Sequence, residues 1–231
     1  MDETIQCAKC PRMLCYPLIA ADQEPSFEQA PSFCPTKVKK DVMEEALQEY
    51  EREDVREFAR LASVQEFECY EHTPDGIRTK IPRIEETIQF AWKNGFHKLG
   101  LAFCSGVANE ARMITEIFEG KGFEIVSVCC KAGAIPKERI GIKPEEKITG
   151  PGFYEAMCNP ITQAEILNSE EVDFVILMGL CVGHDSLFIR YCRIPMTVLV
   201  VKDRVMGHNP LAAVYLSRSP YYGRLRRGAK E

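Results

Sequence analysis

Eleven cysteines in 231 residues are the side chains best able to do chemistry in this sequence, and ten of its residues with metal-ligating or acid–base character fall into two sets. In the first set Cys7, Cys10, Cys15 and Cys34 follow the spacing C-x2-C-x4-C-x18-C. A C-x2-C turn brings two sulfurs onto one metal ion, and two further thiols close a tetrahedral set of four. The stretch between them is rich in Pro, Ser and Gln and lacks a hydrophobic period, so it builds no core of its own; a metal staple would order it. The spacing points to a structural zinc site. An iron–sulfur cluster is the alternative, because thiolates suit both, and a loose tail of inert thiols is the third reading. The odd total excludes complete disulfide pairing within the chain, and clustered thiols in a reducing compartment point to metal binding or catalysis.

The second set comprises Cys104, Cys130, Cys158 and Cys181, with His184 and His208. An apolar run, Asp173 to Met178, reads as a buried strand, and Leu180-Cys181-Val182-Gly183-His184-Asp185-Ser186 follows it, before a helix over Leu187 to Cys192. Lys98 to Phe103 is a second strand, ending in Cys104-Ser105-Gly106, and Phe123 to Val128 a third, ending in Cys129-Cys130-Lys131. Strand, Cys-x-Gly, helix, strand occurs twice, at Cys104 and at Cys181. Such βαβ units need parallel strands and a right-handed crossover. Their carboxyl ends therefore share one rim, where open α/β sheets bind ligands. Adjacent strand side chains face opposite sides, so one of Cys129 and Cys130 reaches the rim; Cys130, further out, is the expected one. Cys192 ends the helix that runs back and is expected at the opposite edge as ordinary core.

Cys158 and His208 each precede an N-cap followed by proline, Asn159-Pro160 and Asn209-Pro210. His184 precedes Asp185, expected as a third cap. Helix N-termini favour nearby thiolates, and Lys131 and Lys202 would offset the charge of four of them. Three readings of the rim follow: a second metal or an iron–sulfur cluster on Cys104, Cys130, Cys158 and Cys181; a catalytic thiol, Cys181 or Cys158, with His184 or His208 as base; or cysteines packed as small hydrophobes.

The elements that must hold these residues are α/β in class: a Rossmann-like parallel sheet with flanking helices, preceded by a small four-cysteine module and a helical segment. Residues 1–36 read as the cysteine-rich metal-binding module, 37–95 as helices packing on the core, and 96–231 as the α/β domain. From Lys39 to about Tyr70 apolar residues recur at helical spacing, in one helix or in two joined near Glu53-Asp54. Cys69 and His72, before the turn Thr73-Pro74-Asp75-Gly76, are expected to have no chemical role. A helix beginning near Pro82 and stopped at Asn94-Gly95 carries Ile88, Ala91 and Trp92, the last expected as packing. No GxGxxG pattern and no P-loop is present. The net charge of -5 argues against a nucleic-acid partner. The acidic start and the shortness of the longest apolar run predict neither a signal peptide nor a membrane span, hence a cytoplasmic protein, with a small molecule at the sheet edge as the remaining class of ligand. The basic tail Arg224-Leu225-Arg226-Arg227 reads as a solvated end.

Taken together, Cys7-Ala8-Lys9-Cys10, Leu101-Ala102-Phe103-Cys104, Val128-Cys129-Cys130-Lys131, Glu155-Ala156-Met157-Cys158-Asn159-Pro160-Ile161, Gly179 to Phe188 and Val200 to Pro210 resemble a family nearly end to end. It is the cysteine-rich family, mainly of anaerobic bacteria and archaea, described as metal-binding proteins of unknown function. The resemblance implies metal binding.

Overall fold

The computed structural model describes residues 4–226, so Arg227 of the basic tail lies outside the described residues. The chain divides into two units, residues 1–67 and 68–231.

In the first unit a single 3-10 turn, Cys7–Lys9, is closed by the Cys10 amide on the Cys7 carbonyl at 3.0 Å. Three helices follow: α1 (Pro35–Val38), α2 (Lys40–Glu49) and α3 (Glu53–Glu68). The 39–70 segment is thus two main helices. Arg52 spans the break between them, donating to Glu49 and to Asp54 at 3.0 Å each, and Glu53 and Asp54 place negative charge at the start of α3. Burial is slight: Ala30 and Gln65 are the buried residues of this unit among those described, while Met13, Tyr16 and Leu18 are exposed.

The second unit opens on a hairpin, β1 (Tyr70–Thr73) with β2 (Gly76–Thr79). Only its turn is read from the sequence. Its strands are short, polar and largely exposed, so they carry no alternation of apolar and polar residues to betray them. Helix α4 (Arg83–Lys93) buries Ile88 and Ala91. Phe90 meets the Phe174 ring edge-on, and Trp92, half exposed, stacks on Phe123 at 6.0 Å.

A mixed α/β body follows, with a four-stranded parallel sheet and flanking helices. Its elements are β3 (Lys98–Phe103), α5 (Ala108–Glu119), β4 (Glu124–Cys129), α6 (Pro160–Ser169), β5 (Phe174–Met178), α7 (His184–Tyr191), β6 (Met196–Val200) and α8 (Pro210–Leu216). The spatial strand order is β4-β3-β5-β6, every neighbour parallel. All five residues of β5 are buried, as expected of a central parallel strand covered on both faces. With right-handed crossovers, the leftward step β3 to β4 sets α5 on one face, and the rightward steps set α6 and α7, which pack together, on the other. The direction in which successive strands are added therefore reverses between β3 and β5, which is where such sheets open a crevice at their carboxyl ends.

Two corrections concern the helix starts. The cap of α7 is Gly183, not Asp185, and His184 is already its first helical residue. Asp185 nonetheless serves the same end, its Oδ1 accepting from the Gly183 and Ser186 amides at 2.9 and 2.8 Å. Asn159 caps α6 as expected, its Oδ1 accepting from the Thr162 amide at 3.2 Å, whereas the Asn209 side chain makes no capping bond on α8.

At the outer edge of the sheet, Arg83 of α4 donates from Nε to the Val198 carbonyl at 2.9 Å and from Nη2 to Thr197 Oγ1 at 2.8 Å. Among the described residues no helix is long and apolar enough to cross a membrane.

Candidate functional site

Four backbone hydrogen bonds tie the strand ends into one rim. The Cys104 amide donates to Met178 O at 3.1 Å, joining the ends of β3 and β5, and the Gly179 amide to Val200 O at 2.7 Å, joining β5 to β6. The Cys130 amide donates to Phe103 O at 2.8 Å, and the Asn159 amide to Cys130 O at 2.8 Å, which brings the start of α6 back onto the end of β4. Gly179 has φ +62°, and a Cβ there would stand 3.1 Å from Val107 at the head of α5. Only glycine lets the chain leave β5 so close to the other half of the crevice.

A cavity of about 670 Å³ lies at this rim, and Cys104, Cys158, Cys181 and His184 line it. Cys130 lies just behind, 1% exposed, its sulfur accepting from the Ser105 amide at 3.3 Å. Of the two neighbours it is Cys130, rather than Cys129, that the structure brings to the other thiols. The thiols form a chain of neighbours, Cys104 beside Cys130 and Cys130 beside Cys158, close enough to shift one another's pKa, and the Cys130 thiol also reaches Ser105 Oγ at 3.8 Å. Donating raises a thiol's pKa and accepting lowers it. Cys104 is pushed up to about 12, by its bond to Cys130 and by burial. Cys130 is raised on balance: Cys104 lowers it, and Cys158 and burial together outweigh that. Cys158, at the accepting end, is lowered to about 6, first by Cys130 and then by the charge of Lys131. Cys181 accepts from Arg204 Nη2 at 2.9 Å. Burial, with the nearby Lys131 charge, lowers His184 and keeps it neutral near pH 7.

His208 is not brought to the cavity. Its Nδ1 accepts from the Asp203 amide at 3.1 Å, and its own amide donates to Asp203 O at 2.8 Å, so the ring staples the loop after β6. Cys192 caps the end of α7 just before β6 begins, at the opposite edge of the sheet, as expected; burial raises its thiol.

Sequence reasoning named Lys131 and Lys202 but missed the other cations of this wall, Lys137 and Arg204. Arg204 was within reach, because it lies just past a strand end like the cysteines. Lys137 belongs to the irregular segment between β4 and α6, which closes on itself as a flap. Pro136 bridges Ala156, the Tyr154 hydroxyl donates to Ala134 O, Lys147 pairs with Glu138, and Lys137 pairs with Glu155 at 2.6 Å.

That last pair gives the flap a pH dependence. Lys137 first, then the Thr149 amide, lower Glu155 from 4.5 to about 2. A depressed carboxyl pKa contributes stability that is present above its unfolded value and fades as pH falls from there through the folded one. The stability difference between the parent chain and Glu155→Gln, measured by denaturant melts, should therefore be full at pH 6 and shrink progressively between about pH 4.5 and 2. A difference that is constant over this range would show that the pair is not what holds the flap.

In the first unit Cys7, Cys10, Cys15 and Cys34 all line one cavity of about 100 Å³. The Cys10 thiol donates to Arg12 O at 2.7 Å. Among the described residues no three His, Cys, Asp or Glu side chains already stand in coordinating positions about one point, in either unit. None of the eleven cysteines is in a disulfide.

An α/β protein with a thiol chain at the switch point of a four-stranded parallel sheet is thus defined by its own geometry. The chain belongs to the family described as "Protein of unknown function (DUF1847)", whose profile matches residues 34–199. A relative from Methanocaldococcus jannaschii, titled "Uncharacterized protein MJ0455", is 37% identical over 211 residues, covering 91% of this chain and 94% of its own. The resemblance to an uncharacterised family seen in the sequence is borne out by both.

Proposed function

We propose that the chain is a metal-binding protein whose metals are held by cysteine thiolates. Cys7, Cys10, Cys15 and Cys34 would hold zinc, and Cys104, Cys130, Cys158 and Cys181 a second metal or an iron–sulfur cluster. The observation that carries the reading is the first unit's lack of a core: four thiols around one small cavity, in a unit whose described residues bury only Ala30 and Gln65. A segment that buries so little does not order itself by the hydrophobic effect, and four thiolates on Zn²⁺ at about 2.3 Å would supply folding energy directly. The donor set fits in its chemistry, being all sulfur and lining one cavity. The rim set fits by the same chemistry, with Lys131, Lys202 and Arg204 at hand against the net negative charge of metal thiolates. Thiols that form no disulfide suit a reducing compartment such as the cytoplasm.

Anaerobic purification followed by metal and acid-labile sulfide analysis tests this. About one zinc per chain is expected to survive dialysis, Cys34→Ser should lose it, and chelation should make residues 4–34 sensitive to protease. Neither zinc nor iron at one equivalent would sink the proposal.

One observation favours a second reading, a thiol-dependent enzyme. Cys158 sits on the cavity wall with its pKa lowered to about 6, which is the setting of a nucleophilic cysteine. Cys158 would be the nucleophile in preference to Cys181. His184, neutral and on the same wall, would be the base in preference to His208, whose Nδ1 is taken by the Asp203 amide.

A further inference from the structure

We infer that the rim cavity is a binding site for a small molecule bearing a phosphate group, held by Lys131, Lys202 and Arg204. Four cations line the cavity, Lys131, Lys137, Lys202 and Arg204, against one carboxylate, Glu155. This concentration of positive charge occurs in a chain whose net charge is -5. Lys137 is matched by Glu155 at 2.6 Å. The other three have no carboxylate partner among the described residues. Lys131 donates to Ala156 O at 2.6 Å and Arg204 to Cys181 Sγ at 2.9 Å, while Lys202 donates to no acceptor among the described residues. The Lys202 ammonium is nevertheless held inward: a Cβ placed on Gly106 would stand 3.2 Å from its Nζ. Glycine at that turn is what leaves the ammonium room beside the head of α5.

Placement adds to the charge. Lys131 follows β4 at one edge of the sheet, and Lys202 and Arg204 follow β6 at the other. They therefore reach the crevice between β3 and β5 from both sides, as a clamp would. Three cations of which one is a guanidinium fork suit a multiply charged oxyanion better than a single carboxylate. The volume, about 670 Å³, is that of a small-molecule site. Ile148 and Tyr154 of the flap give it an organic wall. The ligand is thus a phosphate ester rather than inorganic phosphate alone, and the free ion serves as the probe of the charged end. This site rests on the cations and stands whether or not the thiols hold metal.

The test is calorimetric titration of the full-length chain with inorganic phosphate, at ionic strength fixed with sodium chloride. Saturable binding is expected. Lys202→Met should weaken it about tenfold or more, Lys202→Arg should restore most of it, and Lys121→Met, in the exposed turn after α5, should leave it unchanged. Prior treatment of the chain with a chelator, which would strip a rim metal on the reading above, should leave phosphate affinity within about threefold. Heat that chloride reproduces, equal affinity in Lys202→Met, or loss of binding after chelation would each overturn the site; the last would put the anion on a metal instead.

Discussion

Denaturant unfolding of Gln163→Ala is expected to show a loss of about 2–4 kcal/mol against the parent chain. Gln163 projects from α6 and is fully buried. Its Nε2 donates to Phe103 O at 3.1 Å and to Val128 O at 2.7 Å, across the ends of β3 and β4. Alanine withdraws both bonds from interior carbonyls and leaves a cavity behind. The partial offset is that Gln163 Oε1 is itself buried without a partner, so its removal ends one desolvation cost. Gln163→Leu, which keeps the volume and removes that oxygen, should therefore lose less than alanine, while Gln163→Glu, with a charge in the same place, should lose more. Alanine and leucine variants equal to each other would mean that cavity formation, not hydrogen bonding, was being misjudged. Because Phe103 precedes Cys104 and Val128 stands two residues before Cys130, the same substitutions should loosen the thiol chain.

Iodoacetamide should find Cys158 first among the rim cysteines of the metal-free protein. With a pKa lowered to about 6, its thiol is about nine-tenths ionised at pH 7, whereas Cys104, at about 12, is almost wholly protonated. The alkylation rate at Cys158, followed by peptide mass spectrometry, should rise with pH, reach half its plateau near pH 6, and level off by pH 8. Cys130→Ala removes the neighbour that most lowers Cys158, so the midpoint should move upward. A midpoint near 8.5 in the parent chain would mean that Cys130 and Lys131 do not stabilise the thiolate, and would remove the support for the enzymatic reading. Protection of the same thiol in protein purified anaerobically, lost on chelation, is the result expected if a metal sits there.

The parallel strands were legible because they are continuous apolar runs. Phe174 to Met178 is hydrophobic at every position, which only a strand covered on both faces tolerates. Cys104, Cys130 and Cys181 followed from them, since a residue just past a parallel strand has one edge to occupy. The hairpin at Tyr70–Thr79 was not legible, because its residues bury almost nothing and its order comes from backbone pairing and local bonds at its turn, such as Thr73 Oγ1 to Gly76 O. The flap was recognisable as irregular from its glycines and prolines, but its closure rests on Lys137 meeting Glu155 and Pro136 meeting Ala156, pairings without a sequence period. His208 misled by type: it has the side chain of a base, and the loop after β6 uses it as a hydrogen-bond acceptor for its own backbone.

The Arg83 contact with Val198 and Thr197 reaches beyond the packing of α4. An outermost strand offers a row of backbone groups to any passing chain, and joining of such rows is how sheet proteins aggregate. By occupying the Val198 carbonyl from the side and setting a permanent positive charge against β6, Arg83 spoils that template at its middle. A second copy approaching along β6 would have to displace this contact, which disfavours edge-to-edge pairing there and bears on lifetime at high concentration rather than on chemistry at the rim.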